Sequence, residues 1–196
     1  MKQEERRQQT TQLLLDTTKS LIHEKGCEAI TMKDLMERSG LSKGAIFHYI
    51  KSKDEIFAWV LQDRLEETNR QFIGEVAVNP NFTGPMQRIA DRFTELTNPE
   101  DITNKVLMYL LGKEEQPLVA DALRQYYERS VILSKEWITT GQQAGVIPDS
   151  IDADQVAEMF VLLTTGLRVR STIPTSLPPL STHALTALMT ASLIGK

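Results

Sequence analysis

Apolar residues recur along most of this chain at spacings of three and four, the period that gathers one stripe on one side of a helix. Over residues 4–25 Leu14, Leu21 and Ile22 share such a stripe, and Gly26 supplies a stop, so a first helix is expected there. Thr31 suits the N-cap of a short second helix ending near Ser39, with Met32, Leu35 and Met36 turned inward. Gly40, Leu41 and Ser42 then make a turn, and a third helix is expected over residues 43–50. Ser52 caps a fourth helix reaching about Phe72, with Asp54 and Glu55 in its first turn, where the helix dipole favours acids. The stretch VNPNFTGP, residues 78–85, breaks the pattern as a bend or linker. Further helices are expected over residues 85–97, 99–112, 116–143, 152–170 and 181–194. The loop TIPTSLPPL before the last of these is too rich in proline to be helical. No alternating apolar run bounded by turns reads as a strand. The expected class is all-α, with a small three-helix head over residues 1–52 and a larger helical body over residues 53–196.

The third helix has two unlike faces. At about 100° per residue, Ala45, Ile46, Tyr49 and Ile50 fall on one side and form a core stripe. Lys43, Gly44, Phe47, His48 and Lys51 fall on the other. That second face joins cations, an imidazole, a bare aromatic ring and a glycine that permits close approach. Lysines neutralise phosphates, an imidazole donates to phosphate or base, and a phenyl ring can meet a thymine methyl. Two short helices joined by a tight glycine turn, the second bearing such a face, make a helix-turn-helix. The same lysines would also suit an ordinary solvated surface.

Composition sharpens this picture in places. A length of 196 residues with a 41% hydrophobic fraction supports a sizeable core. The net charge of −4 argues against a nucleic-acid partner for the chain as a whole, but the charge is uneven. Between residues 31 and 53 the bases are Lys33, Arg38, Lys43, Lys51 and Lys53, against only Asp34 and Glu37. Charged or strongly polar residues interrupt every apolar run, so no membrane span is expected. The polar N-terminus has no signal-peptide pattern, and the single Cys27 fits a reducing cytoplasm. His23, His48 and His183 lie too far apart for a metal site. No phosphate-cradling loop, GxSxG elbow or HExxH pair occurs, so no catalytic residue, metal or cofactor is expected.

Gly26 followed by AITMKDLMERSGLSKGAIFHYIKSKDEIF closely resembles the DNA-binding domain of the tetracycline-repressor (TetR) family of bacterial transcriptional regulators. The resemblance covers nearly all of residues 6–57. A weaker one lies in GQQAGVIPDSIDADQVAEMFVLLTTGL, residues 141–167, which is similar to that family's penultimate helix and the turn before it. Carried over by position, the resemblance implies phosphate contacts from Thr31 and Lys33, and from Lys53 at the start of the fourth helix. It places Ser42, Lys43, Gly44 and Ala45 at the entry of the recognition helix, and Phe47, His48 and Tyr49 in or beside the major groove. Phe47 stands where the family usually has tyrosine, and Ala45 often corresponds to threonine. One phosphate hydrogen bond and one polar contact near the bases should therefore be missing.

The run VAEMFVLLTTGL, residues 156–167, is apolar nearly all round, which means burial on more than one side. Leu185, Leu188, Met189, Ser192 and Leu193 give the last helix one sticky stripe, suited either to the chain's own core or to a partner. The resemblance implies that these two helices pair with their symmetry mates in a four-helix bundle, that the homodimer binds a palindromic double-stranded DNA operator, and that the body holds a small-molecule effector. Candidate linings are Phe93, Met108, Tyr109, Tyr126, Tyr127, Trp137, Phe160 and Thr164, although such side chains also make ordinary core. Arg168 and Arg170 would meet an anionic ligand group or complement their helix's dipole. The expected function is a ligand-responsive, sequence-specific DNA-binding regulator, with repression as the family's usual sign. The alternative is a helical interaction adaptor or ligand-binding protein that binds no DNA.

Overall fold

The structure, a computed structural model, describes residues 3–78, 94–178 and 180–194. Among the described residues there are eight helices and no strand: α1 (Gln3–Ala29), α2 (Met32–Ser39), α3 (Lys43–Tyr49), α4 (Lys53–Val78), α5 (Ile102–Leu111), α6 (Pro117–Gln143), α7 (Ala153–Thr172) and α8 (Thr182–Ile194). Residues 94–96 form a further helical turn. The expected break over residues 79–85 and most of the helix expected over residues 85–97 lie outside the described residues. The fourth helix runs to Val78, beyond Phe72, because no proline interrupts its chain before Pro80 and Gly74 is tolerated inside it.

Two compact units emerge. The first combines the described residues up to Arg64 with Ile102–Arg124, and the second combines those of Leu65–Asp101 with those of Gln125–Lys196. The division falls inside α4 and inside α6.

In the first unit local chemistry sets each helix boundary. Gly26 stops the regular part of α1 as expected, its φ of 71° and ψ of 167° bending the chain before one last turn. Thr31 forms a full capping box: its hydroxyl accepts from Asp34 N (3.2 Å) while its own N–H donates to the Asp34 carboxylate (2.7 Å). Lys25, 2.6 Å away, and then the Thr31 hydroxyl and amide hold the Asp34 carboxyl well below the usual carboxylate range. The cap's electrostatic share is therefore complete above the unfolded-chain value of about 3.9 and lost as pH falls from there through the depressed folded value. Gly40 ends α2 in the left-handed conformation, its N–H bonded to Met36 O at 3.0 Å. Ser42 caps α3 through its hydroxyl, which accepts from Ala45 N at 3.2 Å. Leu14, Ile22, Leu35, Ile46, Ile50, Ile56 and Phe57 are fully buried, and α1 packs on both α2 and α5.

The second unit has a core of Leu96, Ile138, Ile147, Ala157, Phe160, Leu167, Leu185, Met189 and Leu193. It is drawn chiefly from α6, α7 and α8, and α7 packs on α8. Asp152 caps α7 by accepting from the backbone of Asp154 and Gln155, both at 3.1 Å.

Candidate nucleic-acid interface

The two faces expected of the third helix are the faces it has in the structure. Ile46 and Ile50 are fully buried, and Ala45 and Tyr49 half-buried. Lys43, Gly44, Phe47, His48 and Lys51 all face solvent. Phe47 is 42% exposed, an unusual state for a phenyl ring at the middle of a short helix. The Lys43 ammonium lies 5.7 Å from the Phe47 ring centroid, and His48 meets Tyr49 edge-to-face at 5.3 Å.

The basic residues of the head divide by whether the chain already answers their charge. Arg38 makes a two-pronged pair with Glu24 at 2.6 and 2.7 Å, which ties α2 to α1 and holds the Glu24 carboxyl below its ordinary range. Lys33 reaches Glu37 one helical turn on, at 3.5 Å, with both side chains largely in water. No carboxylate among the described residues pairs with the ammonium of Lys43 or Lys51. These two cations flank the exposed face of α3.

Lys53 differs from the expectation that it grips phosphate. Its ammonium donates to the carbonyls of Cys27, Glu28 and Ile30, at 3.3, 3.0 and 3.0 Å. An ammonium has three donors, and all three are used on the end of α1 and the loop after it. Lys53 is thus an internal clamp on otherwise orphaned helix-end carbonyls. Thr31 and Ser42 are likewise committed to caps, although both remain exposed and can share a hydroxyl outward.

The body candidates are distributed over both units. Phe93 lies outside the described residues. Met108 and Tyr109 belong to the first unit, where the Tyr109 hydroxyl donates to Asp54 at 2.8 Å. Burial, against the opposing effect of Lys113, pushes the Tyr109 phenol up to about 12, so it stays protonated. In the second unit Trp137 stacks on Phe72 with centroids 4.5 Å apart and donates its indole N–H to Asn69 at 2.9 Å. The Tyr127 hydroxyl donates to Glu158 at 2.6 Å, Tyr126 is half-buried, and the Thr164 hydroxyl donates back to Val161 O at 3.1 Å. Phe160 is part of the core. Arg168, nearly buried, lies 3.5 Å from Asp101, and Arg170 donates to Leu177 O at 3.1 Å. Both arginines therefore have partners within their own unit.

The stripe expected on the last helix is corrected. Leu185, Met189 and Leu193 are buried in the chain's own core, so they are not free to meet a partner. Leu188 is exposed, and the half-buried Ser192 donates back to Leu188 O at 3.0 Å. The apolar surface left open lies elsewhere. On α7 it comprises Met159, Leu162 and Val169, all within one narrow sector of the helix, with the exposed Ile173 just past its end. On α8 it comprises Ala184, Ala187, Leu188, Ala191 and Ile194.

Two short capped helices with an exposed cationic and aromatic face on the second define a helix-turn-helix DNA-binding regulator. The family described as bacterial regulatory proteins, tetR family, matches residues 14–60, the stretch that builds α1 to the start of α4. The chain is 28% identical over 163 residues to the helix-turn-helix transcriptional regulator YfiR of Bacillus subtilis, covering 79% of this chain and 76% of YfiR. It is 23% identical over 163 residues to the transcriptional repressor KstR2 of Mycolicibacterium smegmatis, covering 80% and 76% respectively. Its fold is similar to that of a transcriptional regulator from Saccharomonospora viridis in complex with choline, with a TM-score of 0.64, 20% identity and coverage of 93% and 94%. The helix-turn-helix head of this chain is therefore similar to that of the tetR family of bacterial regulatory proteins.

Proposed function

We propose that this regulator binds a palindromic operator as a homodimer, represses transcription there, and releases DNA when a small molecule occupies its body. The observation that carries the DNA-binding part is the solvent-facing Lys43, Phe47, His48 and Lys51 on a helix whose other side packs inward through the fully buried Ile46 and Ile50. Residues 1–52 serve as the DNA-binding head and residues 53–196 as the sensing and pairing body. The open apolar faces of α7 and α8 supply the dimer contact. Two heads are needed because one short helix makes few base contacts, and paired half-sites lie about 34–36 Å apart on one face of the duplex. Repression follows the sign of KstR2, and small-molecule sensing has a counterpart in the choline-bound Saccharomonospora viridis protein. The effector acts by population shift, binding more tightly to a conformation whose heads are wrongly spaced. None of the described helices is long and apolar enough to cross a membrane, and a DNA-binding role places the protein in the cytoplasm.

Electrophoretic mobility shift of the region upstream of its own gene, at several salt concentrations, tests this function. A sequence-specific complex is expected, with log affinity falling linearly in log salt. Lys43→Ala should weaken binding to all sequences and reduce the slope by about 1, the counterion share of one phosphate. Lys53→Ala should leave the slope unchanged and instead lower the thermal stability of the head, since its donors are spent on carbonyls. A slope change of about 1 in that variant would restore Lys53 as a phosphate contact. His48→Ala should change which sequences are preferred; a uniform loss would make His48 a backbone contact.

A further inference from the structure

Four side chains of the first unit meet where α4 begins and α5 ends. Asp54, in the first turn of α4, accepts from the Tyr109 hydroxyl at 2.8 Å and from the Lys113 ammonium at 3.2 and 3.3 Å. Lys113 also donates to the Tyr109 hydroxyl oxygen, and its Nζ stands 4.2 Å from that ring's centroid. Lys53 Nζ stands 5.3 Å from the same centroid while it clamps the end of α1. The Tyr109 ring is buried, edge-on to the fully buried Phe57 at 5.1 Å. Tyr109 therefore donates one hydrogen bond and accepts another while its ring is wedged, which leaves it a single orientation. The Lys113 and Asp54 side chains are only 25% and 15% exposed, so water screens this pair less than a surface pair.

The connection from this cluster to α3 is short and stiff. Ile50 ends α3, and Lys51 and Ser52 alone separate it from α4. The Lys51 N–H donates to the Glu55 carboxylate at 2.7 Å, and Glu55 N–H donates to the Ser52 hydroxyl at 3.2 Å. Whatever fixes the first turn of α4 thus also fixes the recognition helix.

We infer that Tyr109 and Lys113 are positioning residues for DNA binding: through Asp54 they lock the first turn of α4, and with it α3, against α5, without touching DNA. This rests on the proposal that α3 enters a DNA groove. A duplex selected from a random library by the wild-type protein serves as probe, with affinity read per binding-competent molecule by stoichiometric titration. Asp54→Asn, Lys113→Met and Tyr109→Phe should each weaken binding at least about fivefold, the low end of coupling between distant sites. The Asp54→Asn, Lys113→Met double variant should be no weaker than the worse single one, because both remove one interaction. The salt slope should stay at the wild-type value, since no phosphate contact is lost. A purely structural role would lower the melting temperature and the competent fraction while leaving affinity per competent molecule unchanged, and that result overturns the inference. A shallower slope for Lys113→Met overturns it too, by making Lys113 a phosphate contact. Tyr109→Phe keeps the wedged ring, so it reports even where the charge variants fold poorly. Failure of the wild-type protein to enrich any duplex sinks DNA binding and this inference together. Wild-type binding matched by all three variants sinks the inference alone.

Discussion

Ile46→Asp should unfold the DNA-binding head and abolish operator binding. Ile46 is 0% exposed and sits on the inner side of α3, a helix only seven residues long. A helix that short has negligible stability alone and exists because its inner face is buried. The substitution removes a transfer contribution of about 1.5–3 kcal/mol and adds the desolvation of an unpaired carboxylate, together on the order of 5 kcal/mol. That is a large part of the total stability of about 5–15 kcal/mol typical of a domain. Circular dichroism and thermal melting should show loss of part of the helix signal at room temperature, and a mobility shift should show no complex. Burial raises the introduced carboxyl's pKa, so the folded form takes up its proton first and the damage is least at low pH, growing as pH rises through that raised value. A variant that melts like the wild type at neutral pH would mean that this side of α3 is not the head's core.

The two-faced α3 was legible in the sequence because its inner and outer positions differ in kind. Isoleucines at positions 46 and 50 oppose lysines at 43 and 51, so periodicity alone separates the faces. The caps were legible for a similar reason: Thr31, Gly40, Ser42 and Ser52 act within three or four residues of themselves. What escaped were contacts made across long stretches of chain. Lys53 reads locally as a cation beside a recognition helix, yet its partners lie 23 to 26 residues upstream. Tyr109 and Lys113 meet Asp54 from 55 and 59 residues away, and no local spacing announces that. The last helix failed differently. Its apolar residues occur on almost every side, so the stripe of Leu185, Met189 and Leu193 looked as fit for a partner as for the core it fills. A period identifies a face but does not say whose surface covers it.

If the proposed homodimer forms on the open face of α7, that face decides the assembly. Leu162 is 56% exposed within its own chain, on the same sector of the helix as Met159 and Val169. Leu162→Glu should convert the protein to a monomer in sedimentation while leaving its circular dichroism nearly unchanged. The folding cost is small, because a half-exposed position away from the core changes stability by only about 0.5 kcal/mol. The association cost is large, because a dimer built on this face would bury a carboxylate from each subunit without a partner. Operator affinity should then fall by roughly a hundredfold or more, since binding of the second head ceases to be intramolecular. A single palindromic half-site should lose far less, because one head already suffices to occupy it. Leu185→Ala makes the informative contrast: it opens a cavity in the chain's own core, so it should cost about 2–5 kcal/mol of stability and leave the remaining folded protein dimeric. A Leu162→Glu protein that still sediments as a dimer would move the pairing surface off α7.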